Sequence, residues 1–391
     1  MTEFIHTYPF LIGIISCLLA AAGMPLVIRI ARQKHLVVRP NKRMSHDGEI
    51  PNIGGIDICF SFMLTYLVFA FNEFQESQFL LIGVFAIMCV GLVDDILILS
   101  PGAKLLGETL AGTALIGFAD FRLTHFFGIF GVNELGLLPS YLISLFILIA
   151  IINAINLIDG VDGLCSGFCV LACSIFFGIF AAGGAWCWAI LALVSAAASI
   201  PFLLHNVFGK ESHIYFGDSG TLMMGTLLSC FVIEVLRSAS LSANLRVLYP
   251  GICLVAMVMA VLAEPVMDCL RVMGWRMAKG LSAFKPDRTH LHHLFTDARF
   301  SHPVTALAIH SMDLLIVAFW FISYLLGASK NLQFFVVVVS SVVIFGGFYF
   351  WMSQGRKKNS RNYRRFVWLG IHSHFKRTGF WQTMRTLMDR M

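Results

Sequence analysis

The sequence predicts an all-α membrane protein, a polytopic bundle of about eleven transmembrane helices with its N-terminus outside and its C-terminus in the cytoplasm. Three observations carry that prediction. Of 391 residues, 58% are hydrophobic and only 13% are charged, against about 25% charged in an ordinary soluble domain. A soluble fold of this length could not cover so much apolar surface, so lipid is the solvent for most of it. The apolar residues also fall in runs long enough for a helix to cross a bilayer, and the basic residues sort to one side of those runs.

The runs cover 8–30, 54–72, 79–95, 103–119, 138–157, 164–182, 185–205, 219–236, 247–270, 304–327 and 332–352. The run 103–119 carries Lys104 and Glu108, and 138–157 ends in polar residues. Numbering the gaps alternately from an outside N-terminus leaves 24 of the 28 Lys and Arg residues on the inner side. Only Arg122, Arg237, Arg246 and Lys330 fall outside, as expected where cytoplasmic loops carry the positive charge. One span more or fewer would scramble that sorting.

Ala20-Ala21-Ala22 resembles a signal cleavage site, but the first ten residues hold no Lys or Arg and the apolar run continues to Ile30. That reads as a retained first span. A net charge of +6 could suggest nucleic acid, yet the charges gather in short loops beside apolar runs, so no nucleic-acid partner is expected. The ten cysteines form no pair of CxxC motifs and read as buried, reduced packing residues. Residues 1–354 form a single membrane domain in this reading. Residues 355–391 form a basic cytoplasmic tail with Trp368, Phe375, Phe380 and Trp381 interleaved. It suits an amphipathic segment on anionic lipid or a plain solvated tail.

The polar residues that stand out gather at the inner ends of the spans. Asp94 and Asp95 close the third; adjacent helical residues point about 100° apart, so one can hold a metal while the other orients or deprotonates an acceptor. A helix-ending pair facing water explains them equally well. The stretch Asn153-Ala-Ile-Asn156-Leu-Ile-Asp159-Gly-Val-Asp162-Gly163 is more specific: spacing of three makes Asn156 and Asp159 neighbours, and the glycines let backbone approach a ligand. Asp218 in Phe-Gly-Asp-Ser-Gly opens the eighth span, either as a cap or as a metal ligand beside a phosphate at a helix N-terminus. Pro286-Asp-Arg288-Thr-His290-Leu-His292-His293 offers a guanidinium and imidazoles for phosphate recognition. Clustered carboxylates at a membrane face call for a cation or a basic ligand. Hard oxygen ligands dominate over the histidines, which favours magnesium over zinc. Pro265 after Glu264 predicts a kink inside the ninth span.

Together the blocks HDGEIPNIGG (46–55), GLVDD (91–95), NAINLIDGVDGL (153–164), FGDSG (216–220) and FKPDRTHLHH (284–293) resemble the polyprenyl-phosphate N-acetylhexosamine-1-phosphate transferases. The likeness covers roughly residues 25–350 and keeps the order and membrane placement of the blocks. Within the family, DRTHLHH looks like the branch that uses UDP-N-acetylglucosamine. The peptidoglycan branch usually shows three consecutive histidines, where this chain has Leu291. Glu108 departs from the glutamine often found there in relatives, and no role is assigned to it.

The resemblance implies a phosphoglycosyl transferase with magnesium, or manganese in its place. UDP-N-acetylglucosamine would be the donor and undecaprenyl phosphate the acceptor, in a multi-pass protein of the bacterial inner membrane with its site on the cytoplasmic side. Asp94, Asp95 and Asp159 would be catalytic, with Asp94 and Asp218 on the metal. Asn156, Arg288, His290, His292, His293 and, more weakly, His46 would bind substrate. A homodimer is compatible with this reading. The alternatives are phospho-N-acetylmuramoyl-pentapeptide transfer in peptidoglycan synthesis and a secondary transporter, although transporters carry their carboxylates near the midplane and often in repeated halves.

Overall fold

The computed structural model of the chain describes residues 2–38, 49–70, 77–282, 288–373 and 379–391. After α1 (Thr2–Thr7) and α2 (Pro9–Gln33), a short antiparallel pairing joins β1 (Val37–Val38) to β2 (Ile50–Pro51). Then come α3 (Gly54–Phe69), α4 (Ser77–Leu97) and α5 (Pro101–Phe118), a small hairpin of β3 (His125–Ile129) and β4 (Val132–Glu134), and α6 (Leu137–Leu157). The chain continues through α7 (Leu164–Ala182), α8 (Trp186–Phe208), α9 (Gly217–Arg237), α10 (Ala239–Leu248), α11 (Leu254–Val261) and α12 (Ala263–Ala278). The last part holds α13 (Leu291–Asp297), α14 (His302–Leu325), α15 (Lys330–Ser341), a π-helical turn (Val342–Gly347), α16 (Phe348–Lys357), α17 (Arg361–His372) and α18 (Gly379–Arg390).

The protein is helical as expected, with the two short strand pairings as the exception. A helix occupies each apolar run read from the sequence. Among the described residues, eight helices are long and apolar enough to cross a membrane. The other three runs fall short for visible reasons. α3 has 16 residues, and α5 carries Lys104 and Glu108. The run 247–270 is broken at Leu262, between α11 and α12. Pro265 lies just beyond that break, and the first turn of α12 is capped from another helix: Asp313 Oδ1 of α14 accepts the Glu264 N–H at 2.8 Å. The cysteines among the described residues are all free.

α9 is the axis of the bundle. Its apolar window is 100% buried, enclosed mainly by α3, α4 and α6. Around it, Phe176, Phe180, Trp188 and Phe231 form an aromatic core with ring centroids 5.5–6.3 Å apart. Large apolar side chains such as Phe10, Leu18, Phe60, Phe118 and Phe146 face outward on the peripheral helices, where lipid is their natural surrounding. The small residue Gly91 decides how closely α4 meets α9, because a Cβ there would fall on the backbone of Asp218 and Ser219.

The C-terminal segment packs onto the body. In α18, Trp381 is buried against Phe208 of α8, with centroids 4.6 Å apart. Asp389 Oδ1 accepts three successive N–H groups, from Lys210, Glu211 and Ser212, and the Ser212 hydroxyl, all at 3.0 Å. Burial alone would raise the Asp389 pKa, but these donors outweigh it and hold the carboxyl below its ordinary 3.8. This clasp is therefore complete above that value and weakens as pH falls through the lowered one. Asp389→Asn should lower the melting temperature at neutral pH and narrow the gap from wild type as the medium is acidified. Gly91→Ala should cost about 1–3 kcal/mol by overpacking, read as a lower melting temperature in detergent.

Candidate active site

The ends of four helices meet at one point: α4 and α6 finish there, and α5 and α9 begin there. The N-terminal ends of α5 and α9 bring unsatisfied N–H groups and partial positive charge. Ser100 caps α5 by accepting the Ala103 N–H at 3.3 Å, and Pro101 follows at the first helical position.

Asp95 holds the start of α9. Its Oδ1 accepts the Asp218 N–H at 2.8 Å and the Asn52 amide at 2.9 Å, and its Oδ2 accepts the Ser219 N–H at 2.9 Å. Gly217 makes this possible. It lies at φ +75°, and a Cβ there would collide with Asn52 and Asp95. The loop entering α3 is tied to the same place, with Gly54 and Gly55 N–H donating to the Tyr215 and Phe216 carbonyls at 3.1 Å. Both oxygens of Asp95 are thus engaged in positioning a helix.

Asp94 points differently. Its Oδ1 accepts the Leu99 N–H at 2.7 Å, and its Oδ2 lies 3.1 Å from the Lys104 ammonium. That ammonium is also 2.9 Å from Asp218 Oδ1 and 3.3 Å from Asn156 Oδ1. The Asn156 amide in turn donates to Asp218 Oδ1 and to the Thr221 hydroxyl. One turn further along α5, Glu108 is fully buried and accepts the Asn153 amide at 2.6 Å. So Lys104 and Glu108 of α5 face Asn153 and Asn156 of α6, the departure at Glu108 being matched by Asn153.

The Lys104 ammonium fills the position between Asp94 and Asp218, which is bounded by oxygen: two carboxylates and an amide carbonyl. That donor set suits magnesium or manganese, which commonly take one or two carboxylates and complete their shell with water and phosphate. Among the described residues no group of three or more His, Cys, Asp or Glu side chains is assembled as a metal cage.

A cleft of about 780 Å³ opens beside these groups, lined by Asp94, Lys104, Asn153 and Asn156 on one side and by Arg276, His290, His292 and His293 on the other. Its size suits a nucleotide sugar or similar ligand. The histidines are held firmly. His290 Nδ1 pairs with Asp268 Oδ2 at 2.8 Å, while Asp268 Oδ1 takes Arg271 at 2.6 Å and the Leu291 N–H at 3.1 Å. The His292 ring lies nearly parallel to that of His290, at 8° and 5.7 Å, and sits directly over Gly160, where a Cβ would strike it. Burial, followed by the neighbouring His293, pushes the His292 pKa down to about 3, so that ring is neutral at physiological pH. His293 is lowered too, by burial and then by the nearby Arg288.

Asp159 is exposed in the turn after α6, with protein packed around its carboxyl. That enclosure, then repulsion from Asp218, Asp162 and Asp95, lifts its pKa to about 7. Next to it, Asp162 is held by His302 at 2.7 Å and His213 at 3.6 Å.

The expected residues therefore converge in large part. Asp94, Asp95, Asn156 and Asp218 form one cluster, and His290, His292 and His293 face it across the cleft. Arg288 does not line the cleft: its guanidinium is exposed and pairs with Asp297 at 3.2 Å, because that carboxylate on α13 draws it outward together with Arg356. His46 lies outside the described residues. Lys104, Arg276, Asn52 and Asp268, the partner of His290, are residues of the site that the sequence reading does not assign to it. Lys104 stands as a cation among apolar neighbours in the run 103–119, and that is the available signal.

The chain matches glycosyl transferase family 4 over residues 77–236, the stretch containing α4, α5, α6 and most of α9. It is 31% identical over 285 residues to the undecaprenyl-phosphate alpha-N-acetylglucosaminyl 1-phosphate transferase of Yersinia pestis, covering 70% of this chain and 73% of that protein. The enzyme of the same name from Escherichia coli K12 is 29% identical over 286 residues, covering 70% and 72%. A probable undecaprenyl-phosphate N-acetylglucosaminyl 1-phosphate transferase of Bacillus subtilis is 28% identical over 302 residues, covering 76% and 80%. Fold, site and relatives define a multi-pass membrane phosphoglycosyl transferase. The chain belongs to glycosyl transferase family 4.

Asp95→Asn replaces one acceptor oxygen with a donor facing the N–H groups of α9. Losing a charge-assisted hydrogen bond of this kind costs about 1.5–3 kcal/mol, so the variant should melt lower and lose activity together. Asp159 has its pKa raised on folding, so its contribution to stability is present below 3.8 and is lost as pH rises through about 7. Melting curves across that window should fall for wild type and flatten for Asp159→Asn.

Proposed function

We propose that the chain transfers N-acetylglucosamine-1-phosphate from UDP-N-acetylglucosamine to undecaprenyl phosphate, releasing UMP and starting a lipid-linked polysaccharide such as O-antigen, common antigen or teichoic acid. The observation that carries this is the Lys104 ammonium shared by Asp94, Asp218 and Asn156 at the mouth of the cleft. The names of the relatives supply the substrates. In this reading all eleven apolar runs cross or complete a crossing, with α11 and α12 forming one broken span. The N-terminus is then outside, and the site faces the cytoplasm of a bacterial inner membrane, where a soluble nucleotide can meet a lipid acceptor.

A phosphate oxygen of the lipid forms the new bond to the β-phosphorus of the donor. The bond from that phosphorus to the bridging oxygen breaks, and UMP leaves with the electron pair. The reactants are both anionic, so the protein's task is to neutralise and align them. Lys104 and Arg276 bring fixed positive charge to the cleft, and His290, locked by Asp268, presents an oriented imidazole toward the phosphates and sugar. Asp95 keeps the α9 N-terminus and Asp218 in register. Magnesium held by Asp94 and Asp218, with the Asn156 carbonyl beside them, would supply charge neutralisation of the diphosphate. Asp94, the member of the acidic pair facing the cleft, is the better candidate for contact with reactants, and Asp95 is a positioning residue.

Purified protein should release UMP when given UDP-N-acetylglucosamine and undecaprenyl phosphate, and none with UDP-N-acetylmuramoyl-pentapeptide; the reverse preference would move the chain to the peptidoglycan branch. Lys104→Met, Asp94→Asn and Asp218→Asn should each reduce kcat by about 10²–10³, the scale of removing one preorganised electrostatic group. Chelation should abolish turnover, and added magnesium or manganese should restore it. Direct attack further predicts no UMP exchange into donor when the lipid acceptor is withheld.

A further inference from the structure

On the far side of α13 from the cleft, a second concavity of about 610 Å³ runs between α14 and the segment from the π-helical turn into α16, reaching α17. Its walls are entirely apolar. Phe295, Phe300, Met312, Ile344 and Phe348 form the floor. The rim residues Leu315, Val343, Trp351 and Leu369 are 51–61% exposed. The recess exists because the π-helical turn departs from regular α-helix and because Gly346 and Gly347 occupy it. A Cβ at Gly346 would meet nothing within 4 Å, and one at Gly347 would meet only the Val342 carbonyl at 4.0 Å.

One end of this groove is basic. α17 buries Phe366 and Gly370 against the body and exposes Arg361, Arg364 and Arg365. Arg361, Arg365 and Leu369 follow at intervals of four, which sets the two arginines on the side of α17 that carries Leu369 to the groove. Sequence positions 350–373 hold no Asp or Glu. Trp351 on the rim and Trp368 of α17 are exposed beside these arginines in sequence, and aromatic and basic residues together mark a membrane interface. The other end, at Leu315 and Val343, lies deeper along α14 and the π-helical turn.

We propose that this groove binds one acyl chain of an anionic phospholipid from the surrounding bilayer, with its phosphate held by Arg361 and Arg365. The groove and the catalytic cleft share no lining residue, so a phosphate here is remote from Asp94 and Lys104, which argues against the acceptor substrate. The bound lipid braces the histidine helix. Phe295 of α13 stacks on Phe348 at 5.7 Å and meets Phe366 at 5.2 Å, and Asp297 of the same helix pairs with Arg356 at 2.5 Å. His293 is carried on the opposite face of that short helix, and His292 stands one turn before Phe295. The assignment of depth rests on the membrane orientation given under the proposed function.

The test uses the full chain in nanodiscs of phosphatidylcholine with or without phosphatidylglycerol, followed by detergent extraction and native mass spectrometry of retained lipid. Wild type should retain phosphatidylglycerol in preference to phosphatidylcholine and show a lower KM for the nucleotide sugar in its presence. Gly347→Leu fills the recess without a backbone clash and should lose both effects. Arg361→Gln with Arg365→Gln should weaken retention about fivefold per arginine removed while leaving turnover in phosphatidylcholine unchanged. Equal retention of the two lipids, retention of a polyprenyl phosphate instead, or undiminished retention by Gly347→Leu would each overturn the proposal. Retention is read without turnover, so its failure leaves the transferase reading untouched, and absent transfer with normal retention would count against that reading alone.

Discussion

A helix that begins at the edge of a membrane leaves N–H groups without partners, and α9 resolves this with a carboxylate from a different helix. Asp95 accepts from Asp218 and Ser219 and is itself steadied by Asn52. Because the donors belong to α9 and the acceptor to α4, their bond sets the distance between the two helices as well as ending one of them. Gly91 and Gly217 remove the side chains that would hold them apart. Every other contact at the catalytic end, from Asn156 on Asp218 to the zipped loop at Gly54 and Gly55, presumes that this junction is closed.

Closure gathers negative charge. Asp94, Asp95 and Asp218 would repel one another strongly in a low-dielectric setting, and the chain answers from α5, where Lys104 reaches into the group. The same arrangement explains how these carboxylates can be gathered without an isolated charge. Opposite it, the imidazoles are ordered by their own carboxylate, Asp268, with His292 kept neutral by burial. One wall of the cleft is therefore ionic, and the other joins oriented imidazoles to the guanidinium of Arg276.

Much of this was legible from the chain alone. Apolar run length located the helices, and the five blocks located the residues that meet. What sequence could not supply were pairings between distant helices. Lys104 looked like an intrusion into a span until three helices gave it partners. The difference between Asp94 and Asp95, which are adjacent in sequence, appeared only once α9 occupied one of them. Arg288 pairs with Asp297 of α13, nine positions away, a contact that spacing alone does not show. The break at Leu262 could be guessed from Pro265, but the cap from Asp313 depends on α14 lying alongside.

The enclosed position of α9 also bears on how the protein is made. Its mainly enclosing partners α3, α4 and α6 all precede it in the chain. They are already synthesised when this segment leaves the ribosome, so it can enter a cradle of protein instead of facing acyl chains alone. A segment with glycine, serine and threonine spread along its length is poorly suited to wait in lipid. Biogenesis of the enzyme therefore depends on the earlier spans staying near the insertion site until the ninth helix arrives.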